Sequence, residues 1–352
     1  MNMRDVVASL AALEPGASDH LFAAALADGA GAASPRAAVA GAIDAAKRGA
    51  RASVLLRSSE LVEAAGAIAA AARARASIVV HVVSPEGAGV GRGDIAAALD
   101  LGATVLVTWD ADDAIGVALA ARRTAEDSET PVVHVLDLAA SSGALAAPAT
   151  DAASRFLGPA RAGANAPASD VEAKRAERGF ASRVPFALAA ALRGVGEVTG
   201  KPLAPLERFQ TTDADEVLVA VGSAFPAARA AAEELRARGR RAGALGVRAL
   251  RPFFAAEIVK TLARAKAVGV LEPLDVALAP CGPVAGMLKG AFADAITWAP
   301  GFPGVGHVPP IVSAGLATVD GAAPLTAARR VFEEIAHKDR AQRALVLGAD
   351  EP

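Results

Sequence analysis

The sequence contains a single cysteine, Cys281, and this scarcity limits the redox chemistry of the chain. One thiol can neither form a disulfide within the chain nor supply the four thiolates of an iron–sulfur cluster. We therefore predict that any iron–sulfur centre lies on another protein. Aromatic residues are also few, since tyrosine is absent and there are two tryptophans and 11 phenylalanines. This composition argues against an aromatic cage or a base-stacking platform.

An excess of charge of one sign is missing as well. The 36 basic and 38 acidic residues give a formal net charge of -2, which provides no field to attract nucleic acid or an anionic membrane. Mean hydropathy is +0.36, but charges such as Arg73 and Arg75 interrupt the alanine-rich stretches before they reach a bilayer-spanning length. Residues 1–20 lack the basic-then-apolar layout of an export signal. We predict a cytoplasmic protein that binds neither nucleic acid nor membrane.

The length and apolar content predict two domains, since 352 residues with 53% hydrophobic residues exceed the usual size of one core. In the first half, short β-branched runs alternate with alanine-rich helical patterns. The predicted strands are residues 53–56, 77–83, 104–108 and 131–136, and the predicted helices are residues 60–73, 95–100 and 112–125. Because Ile78, Val79 and Val80 are all apolar, we expect a parallel sheet covered on both faces.

The second half repeats this alternation after a change in composition. Residues 139–170 are rich in Ala, Gly, Pro and Ser and are predicted to form a linker, followed by a helical segment, 171–198, that Pro185 should break. The later strands are predicted at 217–221, 242–247 and 267–271, and the helices at 226–238, 255–263 and 326–337. Pro226 and Gly239 suit the first turn and the residue after the last turn of one helix. Between 273 and 324 periodicity assigns no element, and a final strand with loops is one interpretation.

Two parts of the chain resemble one enzyme family. The segment DEVLVAVGSAFPAARAAAEELRARGRRAGALGVRALRPF resembles the second domain of pyruvate:ferredoxin-type 2-oxoacid oxidoreductases. The segment SPRAAVAGAIDAAKRGARASVLLRSSELV and residues 92–138 resemble that family's domain for the pyrimidine ring of thiamin diphosphate. The resemblance implies an α/β fold of two three-layer domains. These are a pyrimidine-binding-like domain at 1–148, a linker and helix at 149–195, a transketolase C-terminal-like domain at 196–340 and a tail at 341–352.

The resemblance also implies a function: the chain would be the alpha-type subunit, or a divergent paralogue, of a thiamin-diphosphate-dependent 2-oxoacid (pyruvate):ferredoxin oxidoreductase. The family's Gly-Asp-Gly magnesium motif is absent here, so a beta-type partner chain would hold the diphosphate and Mg²⁺. Ferredoxin-type and gamma-type subunits would complete an oligomer. Ser59 and Glu60 align with the family's loop near the cofactor and are predicted cofactor-binding residues. An ordinary helix start, with acids near its positive end, is the alternative.

The chain departs from the family at two positions that matter for chemistry. The glutamate that activates the aminopyrimidine ring should lie just before the first alanine-rich helix, where this chain has Pro35 and Arg36. The arginine expected to pair with the substrate carboxylate is replaced by Pro85 or Glu86. These departures favour an alternative, a non-catalytic scaffold or regulatory subunit that keeps the fold and pairing surface. No catalytic or substrate-binding residue is therefore predicted.

Other candidate positions allow two interpretations each. The glycine-rich residues 87–94 either hold an anion or form a loop with Asp94 as a helix N-cap. Gly222 and Ser223 lie at a strand end, where α/β sheets bind ligands, or form a tight turn. His81 and His134 occupy equivalent places in apolar strands and are either buried histidines bonded to backbone oxygens or a base.

Metal-ligand spacing is absent from the sequence. The five histidines are far apart, and none shares such a spacing with another His, Cys or acid, so no metal site is predicted. Cys281 has no adjacent base to activate its thiol.

Overall fold

The computed structural model describes most of the chain, with gaps between the described segments. The described residues are 21–23, 34–84, 93–137, 150–161, 163–164, 169, 171–172, 175, 179, 182–272, 279–316, 324–337 and 345–347. The chain divides into two compact units. Unit 1 consists of residues 1–86, 97–205 and 249–252, and unit 2 of residues 87–96, 206–248 and 253–352.

The elements alternate along the described chain as expected for α/β units. The strands are β1 (Leu21–Ala23), β2 (Ser53–Arg57), β3 (Val79–Ser84), β4 (Thr104–Val107), β5 (Val132–Asp137), β6 (Leu206–Phe209), β7 (Glu216–Val221), β8 (Ala242–Val247), β9 (Ala249–Arg251), β10 (Ala267–Glu272), β11 (Ile311–Leu316) and β12 (Leu345–Leu347). The helices are α1 (Pro35–Lys47), α2 (Leu61–Arg73), α3 (Gly93–Ala96), α4 (Ala111–Ser128), α5 (Thr150–Leu157), α6 (Val184–Gly194), α7 (Gly196–Thr199), α8 (Ala224–Ala237), α9 (Ala255–Leu262), α10 (Pro283–Ile296) and α11 (Pro324–Ala336). Short 3-10 turns cover Ser58–Glu60 and Ala97–Asp100.

The sheet of unit 1 has the strand order β1-β2-β3-β5-β4-β9. Strands β1 to β5 are parallel, and β9 pairs antiparallel with β4. Helices α1 and α2 contact each other, while α4 packs against β5 and against α5, α6 and α7. Right-handed crossovers place these two groups of helices on opposite faces of the sheet. The strands are apolar on successive residues for that reason, and Leu56, Ile78, Leu106 and Leu136 are fully buried.

Polar side chains fix the amino ends of the strands in unit 1. Arg122, on α4, is completely buried and donates to the carbonyl oxygens of Ala52 and Ser77 and to the Ser53 hydroxyl. Arg51 and Glu126 form a buried ion pair with an Nε–Oε1 distance of 2.7 Å. These contacts tie β2 and β3 to helix α4. Buried charges of this kind are tolerated because each is hydrogen-bonded.

Unit 2 is built on a sheet with the order β12-β11-β10-β7-β8-β6. Its strands are parallel except β6, which pairs antiparallel with β8 at the edge. Helices α8 and α11 pack together, and α9 packs against α10. Phe292 on α10 and Phe332 on α11 are fully buried. Gly239 follows α8 with φ +83°, so the predicted left-handed residue after the last turn is confirmed.

The fold class is as predicted, and the differences lie in the connections. Residues predicted as linker include helix α5. Pro185 lies in the first turn of α6, which begins after a turn at residues 182 and 183, so the predicted break near this proline is confirmed. A proline fits there because the first-turn N–H has no helical acceptor. Helix α10 and the antiparallel edge strands β6 and β9 were not predicted.

A pair of helix glycines in unit 1 provides a test of local packing. Gly66, on the exposed face of α2, has open space where a Cβ would lie, whereas a Cβ on Gly116 of α4 would lie 3.0 Å from Leu203 Cδ1. We expect Gly66→Ala to raise the free energy of unfolding by about 0.5–1 kcal/mol through helix propensity. Gly116→Ala should gain nothing, because crowding offsets propensity. Urea denaturation of both variants measures the difference, and equal gains would contradict this packing.

Candidate functional site

The carboxyl edge of the sheet in unit 1 is the candidate site. The connection that follows β3 leads to a 3-10 turn that contacts α2, whereas β5 leads to α5, which contacts α4. The described elements that follow the adjacent strands β3 and β5 therefore lie on opposite faces of the sheet, an arrangement that in α/β folds places a ligand-binding crevice at the carboxyl ends of the two strands. The strands next to the crevice end at Ser84 and Asp137, and β2 ends beside them at Arg57.

The predicted cofactor-binding pair lies at this edge. Glu60 is half-buried, and its Oε2 accepts a hydrogen bond from the backbone N–H of Arg57 at 2.8 Å. Ser59 is exposed. The Glu60 carboxylate therefore stabilises the turn that begins α2, as the alternative interpretation expected. Cofactor binding by Ser59 and Glu60 stays a prediction.

Ser58 begins the same turn and was not singled out from the sequence. Its side chain is only 1% exposed, and within the described residues its hydroxyl has no hydrogen-bond partner. An unsatisfied buried hydroxyl costs about 1–3 kcal/mol, so it marks a position where a partner is expected.

His81 and His134 lie side by side on β3 and β5, because the two strands pair in register at these residues. Both are buried, and their Nδ1 atoms are 3.0 Å apart. One ring donates and the other accepts, which requires a neutral acceptor ring. Burial, together with the charge of Arg122, lowers the pKa of His81 from 6.5 to about 3. The predicted burial is confirmed, but the partner is the other imidazole.

The position expected to hold the activating glutamate does not fit that role. Pro35 is buried at the start of α1 and has no side-chain hydrogen-bonding group. Ser34 is the N-cap, and its Oγ accepts from the N–H of Ala37 at 3.2 Å. Arg36 is exposed and is a cation. None of these groups offers the carboxylate that the aminopyrimidine of thiamin diphosphate requires.

The glycine-rich loop falls mostly outside the described residues, as do Pro85 and Glu86. Helix α3 begins at Gly93, so Asp94 lies in its first turn. The N-cap position of this helix is residue 92, so the prediction of Asp94 as the N-cap is wrong by two residues, a difference within the usual uncertainty of helix ends.

In unit 2, the crevice lies between the adjacent strands β7 and β10, which lead to α8 and α10 on opposite faces. Gly222 follows β7 with φ +61° and forms a turn, and Ser223 is 1% exposed. Beside them Glu272 ends β10, fully buried, and its two carboxyl oxygens accept from Val284 N (2.8 Å) and Ala285 N (3.1 Å). Burial raises the pKa of Glu272 to about 7, although these two N–H groups lower it.

Sequence reasoning missed Glu272 because α10 was not predicted. The signal was present in Pro283, which suits the first helical position, and in Gly282 before it. Gly282 is required here, because a Cβ at that position would collide with the Glu272 carboxylate. Gly282 N–H donates to Ser313 Oγ at 3.0 Å.

A cavity of about 410 Å³ lies at the opposite, amino end of the strands in unit 1. It is lined by Arg75, Ser77, Glu126, Asp127, Glu129, Arg161 and Gly163. Ion pairs join Arg75 to Glu129 (3.2 Å) and Arg161 to Asp127 (2.6 Å) across it. The charged residues that line the cavity are therefore paired with one another and have a structural role. The cavity also lies away from the carboxyl edge, where sheets of this kind bind ligands.

The described residues contain no group of three or more His, Cys, Asp or Glu side chains placed to hold a metal ion. No helix among them has both the length and the apolar character needed to cross a bilayer.

Each of the two sheets has helices on both faces, which defines an α/β fold in both units. Residues 214–295 match the family model described as pyruvate:ferredoxin oxidoreductase core domain II. The pyruvate synthase subunit PorA of Methanothermobacter thermautotrophicus is 38% identical over 82 residues, which are 23% of this chain and 21% of the relative. The predicted resemblance to the pyruvate:ferredoxin oxidoreductase family is confirmed for residues 214–295, which match its core domain II.

Solved structures extend the likeness in fold to nearly the whole chain. The 2-oxoglutarate:ferredoxin oxidoreductase of Magnetococcus marinus is 16% identical with a TM-score of 0.57, over 95% of this chain and 65% of that one. A split-gene transketolase, described as an inactive beta4 tetramer, is 14% identical with a TM-score of 0.56, over 94% of this chain and 97% of that one. At such identities the likeness shows the fold alone. The matched part of this chain thus spans about a fifth of the length of the curated relative and under two thirds of the length of the first solved structure.

Proposed function

We propose that the chain is an alpha-type subunit of a 2-oxoacid:ferredoxin oxidoreductase that acts with a partner chain. The observation that carries this proposal is the match of residues 214–295 to core domain II, together with the identity to PorA, which is itself a subunit of pyruvate synthase. In this proposal a beta-type subunit holds the diphosphate of thiamin diphosphate and Mg²⁺. The iron–sulfur centres lie on partner chains, since this chain has one cysteine, and ferredoxin-type and gamma-type subunits complete the complex. The predicted cytoplasmic location is part of the same proposal.

The contribution of this chain in such a complex is the wall of the cleft at the carboxyl edge of unit 1. Ser58, Ser59 and Glu60 begin α2 there, and the positive end of that helix faces the edge. The cofactor, when bound, supplies the nucleophilic carbon for decarboxylation. The residues of this chain orient the bound molecule and exclude water, and Pro35, at the position expected for the activating glutamate, supplies no carboxylate.

A second candidate function is favoured by one observation, the absence of an acceptor at Pro35. In this alternative the chain is a non-catalytic or regulatory subunit that keeps the fold and the pairing surface. Loss of the carboxylate removes the activation of the cofactor while leaving the fold intact, because Pro35 suits the first position of a helix.

Cofactor titration separates the two functions. The purified chain is titrated with thiamin diphosphate and Mg²⁺, alone and with the partner chain that co-purifies with it, and 2-oxoacid-dependent reduction of a viologen dye is measured. Saturable cofactor binding with turnover in the complex supports the first function. A stable complex without cofactor binding supports the second. A chain that forms no complex and binds no cofactor contradicts both.

Restoring a carboxylate at position 35 tests the alignment on which the second function depends. Pro35→Glu is expected to raise the affinity of the complex for thiamin diphosphate about 10-fold or more, because a hydrogen bond to a charged group contributes about 1.5–3 kcal/mol. The variant should fold, since an acid in the first helical turn is favourable. The matched control is Pro185→Glu, a first-turn proline on α6. Equal affinities of the two variants would show that position 35 lies away from the ring.

A further inference from the structure

The amino edge of the sheet in unit 2 carries an exposed apolar loop. Because β10 and β11 are parallel, helix α10 returns to this edge and ends there at Ile296, and residues 297–310 lead on to β11. Residues 295–310 contain no Asp, Glu, Lys or Arg. The large apolar side chains that are exposed among the described residues of unit 2 all lie in this stretch: Ile296 at 41%, Trp298 at 75% and Val308 at 41%. A cluster of this kind marks an interaction surface, whereas single exposed apolar residues do not.

The indole of Trp298 is held in place by its own loop. The backbone of Trp298 is left-handed, with φ +59°, which is uncommon for an aromatic residue and requires support from its neighbours. Trp298 N donates to Ala295 O at 3.2 Å, and Ala299 N donates to Asp294 O at 2.9 Å. The ring lies against Gly304, where a Cβ would overlap it. Most of the indole surface therefore stays exposed on a side chain that is already positioned, so binding costs little conformational entropy.

A cluster of cations lies at the same edge. It occupies the last turn of α8 and the connections that enter β7, β8 and β10, at residues 210–216, 236–241 and 263–266. Cations outnumber carboxylates two to one in these segments, although the whole chain has a net charge of -2. The cluster adjoins the apolar loop, because Val268 N of β10 donates to Pro310 O at 2.9 Å. The cations are Arg236, Arg238, Arg240, Arg241, Arg264 and Lys266, and the carboxylates are Asp213, Asp215 and Glu216.

The distribution of charge indicates which kind of partner fits. Asp213 pairs with Arg236 and Asp215 pairs with Arg241, each at 2.7 Å, so carboxylates lie among the cations. Nucleic acid and anionic membranes present continuous negative charge, which these carboxylates would repel. A second copy of this chain would bring the same excess of cations to the contact. A protein whose carboxylates are spaced to face only the cations complements the surface.

We propose that the amino edge of unit 2 is a docking surface for a second protein, which receives Trp298 in an apolar pocket and places carboxylates opposite the neighbouring cations. An aromatic anchor beside a charged rim is the usual composition of a protein interface. The anchor supplies most of the affinity, and the rim steers and orients the partner. The surface lies at the opposite end of the strands from the crevice between β7 and β10, so a docked partner leaves that crevice open. The proposal requires no cofactor and no 2-oxoacid.

Binding of the full chain to the partner chain that co-purifies with it, expressed and purified separately, tests the surface. Trp298→Asn is expected to raise the Kd about 10-fold or more, because an anchoring aromatic residue dominates the binding energy. Asparagine tolerates the left-handed backbone, so the variant keeps the loop. The matched control is Phe186→Ala, which removes a 79% exposed aromatic side chain from α6 in unit 1. It should leave the Kd unchanged.

Arg264→Glu tests the role of the cations. It should slow association several-fold at low salt, and the difference should shrink at high salt, because screening weakens electrostatic steering. Arg73→Glu changes the net charge equally at an exposed position on α2 in unit 1, and it should leave the association rate unchanged. Hydrogen exchange locates the contact, since the amides of residues 297–308 should become protected in the complex.

Co-purification alone does not support the proposal, and several results overturn it. The absence of a co-purifying protein, or an unchanged Kd for Trp298→Asn, removes the docking surface. Self-association that Trp298→Asn abolishes assigns the surface to a second copy. Binding to phosphatidylserine vesicles or duplex DNA that Arg264→Glu abolishes assigns it to a membrane or to nucleic acid.

The docking surface and the proposed function can fail separately. Viologen reduction in a complex whose Kd is insensitive to Trp298→Asn rejects the docking surface and leaves the proposed function standing. Binding that depends on Trp298 in a complex without viologen reduction does the reverse.

Discussion

Unit 1 is expected to lose about 1.4 kcal/mol of folding free energy for each pH unit below 6.5, because of the buried histidine pair. Burial lowers the pKa of His81 to about 3 in the folded chain, against 6.5 when exposed. Between these two values the unfolded chain binds a proton that the folded chain excludes. The contribution of the neutral, buried His81 to the free energy of unfolding is therefore complete above pH 6.5 and is lost progressively as the pH falls toward 3.

The fluorescence of Trp109 measures this loss in unit 1. Trp109 is buried there, and the other tryptophan, Trp298, is exposed in unit 2, so Trp298→Phe leaves a single reporter. Urea denaturation at several pH values then gives the slope. The double variant His81→Leu with His134→Leu should abolish this part of the slope. His81→Leu alone should cost about 1–3 kcal/mol at neutral pH, because it deprives the His134 Nδ1 of the facing imidazole.

The control for the histidine prediction is His307→Gln, which changes an exposed histidine in unit 2. It should leave the acid slope of the Trp109 transition unaltered. An unchanged slope in the double leucine variant would mean that other groups cause the acid sensitivity and that the pair is not the source.

Glu272→Gln is expected to change the stability of unit 2 with opposite sign at low and high pH. Burial raises the folded pKa of Glu272 from 4.5 to about 7, so the protonated side chain is favoured by folding. The contribution of Glu272 to the free energy of unfolding is therefore full below pH 4.5. It falls by about 3 kcal/mol in total as the pH rises through 7. Glutamine stays neutral and avoids this loss. It offers one oxygen to the two N–H groups of Val284 and Ala285, which costs about 1 kcal/mol.

The variant should therefore be less stable than the parent at pH 4.5 and more stable, by about 2 kcal/mol, at pH 8. Hydrogen-exchange protection of the α10 amides, corrected for intrinsic rates, reports the change locally. Glu257→Gln serves as the control, since Glu257 lies 58% exposed on α9 in the same unit. A constant difference between Glu272→Gln and the parent across this range would contradict a buried carboxyl that titrates near neutrality.

The sequence alone predicted the helices and strands that are determined by residues close together in the chain. Val79, Val80 and their neighbours read as a buried parallel strand because both faces of the sheet are covered, and Gly239 marked a helix end because its left-handed backbone is local chemistry. Edge strand β9 carries three residues, too few for a pattern, and it forms only because β4 lies beside it in the fold. Helix α10 was hidden by the glycines and prolines around it.

The sequence indicated part of the candidate site. The family resemblance singled out Ser59 and Glu60, which lie directly after the end of β2, and their binding of a cofactor stays a prediction. The resemblance did not indicate that Ser58 would be buried with no hydrogen-bond partner among the described residues, because burial depends on the packing of the turn against the sheet. Nor could spacing show that His81 and His134 face each other, since strand order is a property of the fold: β5 inserts between β3 and β4.

The position of β9 in the strand order has a consequence for biosynthesis. The residues that complete the sheet of unit 1 come after β6, β7 and β8 along the chain, and all three of these strands belong to unit 2. A nascent chain emerging from the ribosome therefore holds the edge of β4 uncovered until residue 251 has been translated. A chain truncated after residue 205 would retain that bare edge permanently, and open strand edges recruit other chains into aggregates.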